Sequence, residues 1–201
     1  AIPVVLIAGI FWSFGPLAIR YVDQPELVPW QYLFTRGIVI FIVLNCYLYL
    51  NEGTNFISNY FRVGFSGIVG SIGLASAMMS FIWSITHTSV AVTLLCLAAM
   101  PLITALLGFI FLKEHISINT WVSIVIAAIG IAIISLNNER IGSLMGLLFG
   151  LLSAIGFSIF SISLRWRKET PQFTTVSLAG LICAGVSAYI IIQSNSIFFH
   201  Q

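Results

Sequence analysis

PWQYLFTRGIVIFIVLNCYLYL, Pro29 to Leu50, runs for 22 residues with a single charged side chain, Arg36. At about 1.5 Å of rise per residue, a helix of this length crosses a hydrocarbon core of about 30 Å. Six more stretches read the same way: Ile2–Val22, Val63–Ile85, Ser89–Leu112, Ile118–Leu136, Gly142–Leu164 and Phe173–Gln193. The predicted fold is therefore all-α, a polytopic membrane helical bundle with seven transmembrane helices. Little chain is left outside them, so any function lies within the bilayer. An ionisable group placed there is costly, which makes Arg36 a functional candidate by default.

Composition agrees. Hydrophobic residues make up 59% of the chain and charged ones 7%, against about 45–50% and about 25% in soluble domains. No globular core hides that much apolar surface, so lipid is the solvent. A net charge of +2, scattered along the chain, gives no basic patch for nucleic acid. Cys46, Cys96 and Cys183 lie inside apolar runs without metal-ligand spacing. They read as small packing residues, and neither metal nor cofactor is expected. The chain starts at Ala1 with no methionine or basic lead-in, so its first run does not resemble a cleaved signal peptide. It is expected to be part of a longer protein.

Lysine and arginine placement sets the expected orientation. With the N-terminus in the cytoplasm of a plasma (inner) membrane, the inner loops hold Arg62, Lys113, Arg165, Arg167 and Lys168, and the outer loops only Arg20 and Arg140. Trp30, Trp83, Trp121 and Trp166 fall near span ends, where amphipathic rings settle; Trp12 lies about midway through its span.

The spans are not uniformly greasy. Ser66, Gly70, Gly73, Ala77, Ser80 and Ser84 recur at helical spacing on one face. Gly142, Gly146, Gly150 and Ser153 do so in the sixth span, and Ser177, Gly180, Ala184 and Ser187 in the seventh. Small residues let helices approach closely where no hydrophobic force drives association. The same faces can also line a path for solute.

A short internal match links Gly9-Ile-Phe-Trp-Ser-Phe-Gly15 to Gly150-Leu-Leu-Ser-Ala-Ile-Gly156, each followed by an arginine, Arg20 and Arg165. The unit so defined holds five spans. An odd number of crossings makes a tandem copy enter from the opposite side, giving an inverted repeat. Residues 2–136 form the first five-helix repeat, and 142–201 the beginning of a second, about three spans short.

The stretch Thr88-Ser-Val-Ala-Val-Thr-Leu-Leu, then Met100-Pro-Leu-Ile-Thr-Ala-Leu-Leu-Gly108, then Phe111-Leu-Lys-Glu-His-Ile-Ser117 with Trp121, resembles the EamA-type transporters of the drug/metabolite transporter superfamily. So do Trp12-Ser-Phe-Gly with Arg20, and Trp30-Gln-Tyr-Leu-Phe-Thr-Arg36. The resemblance covers essentially the whole chain. It implies ten helices in two inverted five-helix halves around a central cavity. It also implies alternating-access movement, often outward, of amino acids, other metabolites or drugs.

Several residues offer chemistry. The Arg36 guanidinium presents a fork of donors for a carboxylate or phosphate; the plainer reading is snorkelling or a bond to helix-end carbonyls. Pro16 frees the carbonyl of Trp12, and a broken helix beside Gly9, Ser13 and Gly15 points to a binding site, with Trp12 as a flat apolar or cation–π surface. The bland alternative is a kink with Trp12 filling the bundle. Pro101 frees the carbonyl of Leu97 beside Thr93, Cys96, Met100 and Thr104, as a bend that shapes the cavity or flexes. The expected substrate-binding residues are Trp12, Ser13, Arg36, Ser80, Trp83, Thr93 and Met100, with Pro16 and Pro101 as hinges. Lys113 and Glu114 read as an end-cap and loop pair or as a gate. His87 reads as an interfacial residue or one that titrates near neutral pH.

All six acidic residues, Asp23, Glu26, Glu52, Glu114, Glu139 and Glu169, lie in loops or at span ends. Coupling through a mid-membrane carboxylate is thus disfavoured against facilitated diffusion or exchange. An intramembrane enzyme would need a buried His-Glu-x-x-His, paired aspartates or a serine with a basic partner, and none is present. The leading reading is a secondary transporter, an exporter of small metabolites, whose partners are the lipid bilayer and a small-molecule substrate. The alternative is a seven-helix receptor or a non-transporting assembly subunit.

Overall fold

The computed structural model describes residues 28–136, 144–167 and 170–193, and among these there are helices and turns but no sheet. In order they are α1 (Val28–Glu52), a 3-10 turn (Gly53–Asn55), α2 (Phe56–Arg62), α3 (Gly64–His87), α4 (Val90–Ala98), α5 (Met100–Leu112), α6 (Ile118–Leu136), α7 (Leu144–Trp166) and α8 (Gln172–Gln193). Five segments are long and apolar enough to cross a membrane: Pro29–Arg62, α3, Val90–Leu112, α7 and α8. Ile118–Gly130, within α6, is a shorter apolar helix. The expected first span, Ile2–Val22, lies outside the described residues.

The segment between the expected spans Pro29–Leu50 and Val63–Ile85 is helical on both sides of Gly53. Gly53 has φ +60°, a value that side chains beyond glycine rarely adopt, so α1 breaks there and α2 folds back. Tyr49 and Phe56 then meet edge to face, their rings 6.2 Å apart.

The span Ser89–Leu112 is interrupted at Ala99. Ser89 caps α4 by accepting from the Val92 N–H (3.2 Å), and Pro101 occupies the first turn of α5, where its missing N–H costs nothing. Lys113 ends α5 in the left-handed conformation (φ 55°), and the Glu114 N–H donates back to the Gly108 carbonyl (3.2 Å).

Two antiparallel seams hold the bundle. Along α3 and α7, the Ser66 hydroxyl reaches the Ser163 carbonyl, Ser153 Oγ donates to Ala77 O (3.0 Å), and Ser84 Oγ donates to Gly146 O (2.8 Å). Between these, Gly73 and Gly156 touch backbone to backbone: a Cβ on Gly156 would lie 2.6 Å from the Gly73 carbonyl oxygen. Along α1 and α8, Gly37 and Gly180 meet in the same reciprocal way. Each pair places a glycine of one expected repeat against a glycine of the next.

The face Ser66, Gly70, Gly73, Ala77, Ser80, Ser84 is buried along its length, as are Gly146, Gly150 and Ser153 of α7 and Ser177, Gly180, Ala184 and Ser187 of α8. Large apolar residues of the same helices, such as Phe65, Ile68, Ile72 and Leu181, point outward. Small and hydroxylated surfaces thus turn inward. Where α3 and α7 meet they close on each other as a packing seam, the plainer of the two readings, and the Ser66, Ser84 and Ser153 hydroxyls are spent on facing carbonyls.

Candidate functional site

Among the described residues, a hollow opens between α5, α6 and α7. Its volume is about 540 Å³, within the range of about 300–1,000 Å³ usual for small-molecule sites. Met100, Pro101 and Thr104 supply the α5 wall, Ser161 and Arg165 the α7 wall, and Thr120 the α6 wall. Glu114, His115 and Ser117 of the α5–α6 connection form its rim. Hydroxyls of Thr104, Thr120 and Ser161 thus share the lining with apolar side chains.

The walls are set by local chemistry. The break at Ala99 turns α5 away from the line of α4, and Ser158 Oγ donates to the Met100 carbonyl (3.1 Å), pinning the first residue of α5 to α7. At the rim, Arg165 donates from one Nη2 to both Glu114 oxygens, each at 2.6 Å. Both side chains are a little under half exposed, so solvent screens the pair. It joins the connection after α5 to the end of α7. A second hollow of about 140 Å³ lies between α4 and α6, bounded by Leu95, Ala98, Ala99, Ala127 and Gly130. It offers no side-chain hydrogen-bonding group.

Of the residues singled out in the sequence, Met100 and Pro101 come together on the hollow between α5, α6 and α7. Thr93 is fully buried, its hydroxyl 2.7 Å from Ser84 Oγ, where it helps join α3, α4 and α7. Ser80 is buried on the inward face of α3. Trp83 belongs to an aromatic group at the opposite end of the bundle, with Trp30 (ring centroids 5.5 Å), His87 (5.2 Å) and Phe149 (6.2 Å). His87 Nδ1 lies 2.8 Å from the Trp83 carbonyl, so this ring is held to its own helix. From Phe149 to Ser161 along α7 is about 18 Å of helical rise. Arg36 is half-buried on α1, within electrostatic reach of Cys183 on α8, and no carboxylate among the described residues pairs with it. Trp12, Ser13 and Pro16 lie outside the described residues.

Two pairings escaped the sequence reading. Of Lys113 and Glu114, read as an end-cap and loop pair or as a gate, Lys113 caps α5 and Glu114 reaches Arg165 on α7. In the membrane, Asn45 Nδ2 donates to Ser177 Oγ (2.8 Å), and the Tyr60 hydroxyl donates to Asn45 Oδ1 (2.7 Å), tying α1, α2 and α8 together. An asparagine inside an apolar run was the available signal.

Membrane-length helices packed through small residues, with a polar hollow left between three of them, define a polytopic integral membrane protein with room for a solute. The family model for EamA-like transporters matches residues 1–136, and the chain belongs to that family, one of transporters and not of enzymes. An uncharacterized transporter of Helicobacter pylori (strain J99 / ATCC 700824) is 29% identical over 118 residues, which are 59% of this chain and 38% of that protein. The match thus spans well under half of the relative's length. No solved structure matches the chain.

Proposed function

We propose that the protein is a secondary transporter that exports small metabolites, such as amino acids or related compounds, by alternating access through the hollow between α5, α6 and α7. The observation that carries this reading is the hollow itself: about 540 Å³, walled by Met100, Thr104, Thr120 and Ser161 beside the bend at Pro101. Residues 2–136 act as one five-helix unit and 142–201 as the start of its inverted copy. The antiparallel contact Gly37–Gly180 supports that division, because the second and seventh spans hold corresponding places in the two units of an inverted repeat.

Arg62, Lys113, Arg165 and Arg167 sit at the end of the bundle where α3 begins and α5 and α7 finish. Positive charge there favours that end, and the mouth of the hollow, facing the cytoplasm. No acidic residue lies mid-span in the sequence, which favours exchange or facilitated diffusion over coupling through a buried carboxylate. The test is a release-and-uptake screen of a metabolite mixture in proteoliposomes of the complete protein. Saturable flux of one or a few solutes is expected, and flux equal to protein-free vesicles for every solute defeats the proposal.

A further inference from the structure

The geometry points to Arg165 as the anchor for an oxyanion on the transported solute, a carboxylate or phosphate, with Glu114 holding that anchor while the hollow is empty. This rests on the transport reading above and narrows its substrate class. Arg165 and Glu114 are both lining residues of the hollow, and both keep roughly half their surface open. A guanidinium presents its donors as a planar fork that a carboxylate or phosphate matches. Glu114 engages one arm of it, Nη2, with two 2.6 Å contacts. A solute oxyanion that takes the whole fork claims that arm too and exchanges one charge-assisted contact for another, while Thr104, Thr120 and Ser161 remain for the rest of the molecule. Such an exchange is reachable because a half-exposed ion pair is weak.

The placement of Glu114 gives the exchange a mechanical consequence. Its backbone is fixed to the end of α5 through Gly108, and its side chain reaches the end of α7. The pair thus bridges residues 2–136 to residues 142–201. Displacing Glu114 unties the two units at the mouth of the hollow. Solute binding and release of the tie become one event, so an empty carrier stays latched and a loaded one is free to rock. A ligand shifts such an equilibrium only through contacts that differ between the two states, and here the differing contact is the Arg165 fork.

The test uses the complete protein carrying Thr104→Cys, with labelling of the introduced thiol by neutral N-ethylmaleimide read by peptide mass. Two probe pairs differ in an oxyanion: glutarate against glutaramide, and glycerol phosphate against glycerol. The anionic member is expected to slow labelling and the neutral one to have little effect; whichever anion protects at lower concentration identifies carboxylate or phosphate. Glu114→Gln, which leaves the fork free, is expected to lower the protecting concentration about threefold to tenfold. Arg165→Gln is expected to abolish the difference between pair members, and Arg165→Lys, which keeps the charge but loses the fork, to leave part of it. Size-exclusion profiles identify any variant that fails to fold, and the natural pair and Arg165→Lys then carry the comparison. Equal protection by charged and neutral probes overturns the inference, as does unchanged or weaker anion protection in Glu114→Gln. Anion protection without flux in proteoliposomes leaves the site standing and removes transport; flux of neutral solutes without anion protection does the reverse.

Discussion

Replacing Gly37 by alanine adds one methyl group to the seam between α1 and α8. A Cβ there would stand 2.5 Å from the Gly180 carbonyl oxygen, 2.9 Å from the Ala184 nitrogen and 3.0 Å from the Ala184 Cβ. Ordinary contact begins at 3.4 Å, so the helices must part by about 0.9 Å at this point. Two of the three obstacles are backbone, and no rotamer change relieves them. Overpacking of this kind costs about 1–3 kcal/mol. At roughly 2–4 °C per kcal/mol for a chain of this size, the midpoint falls by about 2–12 °C. Gly185→Ala, on the outer side of α8 with nothing within 4 Å of the added carbon, is the control. It is expected to hold or gain stability, since alanine exceeds glycine in a helix by up to about 1 kcal/mol. Thermal unfolding of detergent-purified protein, followed by size-exclusion fluorescence, reads both. A Gly37→Ala midpoint equal to the parent's, or a Gly185→Ala midpoint that drops as far, refutes the seam.

Other perturbations probe separate parts of the account. Ser84→Ala removes the hydroxyl that bonds both Thr93 and Gly146; a loss of about 0.6–1.7 kcal/mol is expected, and an unchanged melting midpoint counts against that junction. Tyr60→Phe removes the link from α2 to Asn45 and Ser177; faster amide exchange within Phe56–Arg62 is expected while α3 stays protected, and uniform exchange in both proteins argues the contrary. Pro101→Ala is expected to slow flux several-fold without loss of stability, and normal transport kinetics eliminate the bend as a moving part. Arg36→Lys keeps the charge but loses the fork, and is expected to impair flux of anionic or zwitterionic solutes more than folding. Unchanged transport by Arg36→Ala removes that residue from the route.

The class of fold was legible because bilayer thickness imposes a length on apolar runs, and span after span shows it. The small-residue faces were legible too, since a period of 3.6 puts Ser66 through Ser84 on one side of α3. What such a face meets is not written in its period. The Ser66–Ser84 stripe packs on α7, and Thr93 bonds Ser84, because opposing glycines let the backbones come close enough for hydroxyls to reach carbonyls. Asn45 finds Ser177, 132 residues away, and Glu114 finds Arg165, 51 residues away. Neither pairing has a local signature. Pro101 and Met100, which border the hollow, stood out in the sequence because a proline inside an apolar helix leaves a visible mark. Thr104, Thr120 and Ser161, ordinary hydroxyls in separate helices, became a site only when packing brought them to one hollow.

Plugging the hollow tests the central claim most directly. Thr104→Trp places an indole in the space between α5, α6 and α7, at a position where the natural side chain is half-buried and borders the hollow. For the solute identified in proteoliposomes, saturable flux is expected to fall to the level of protein-free vesicles, with the melting midpoint within a degree or two of the parent's. Undiminished flux through a stably folded Thr104→Trp protein would contradict passage by this route.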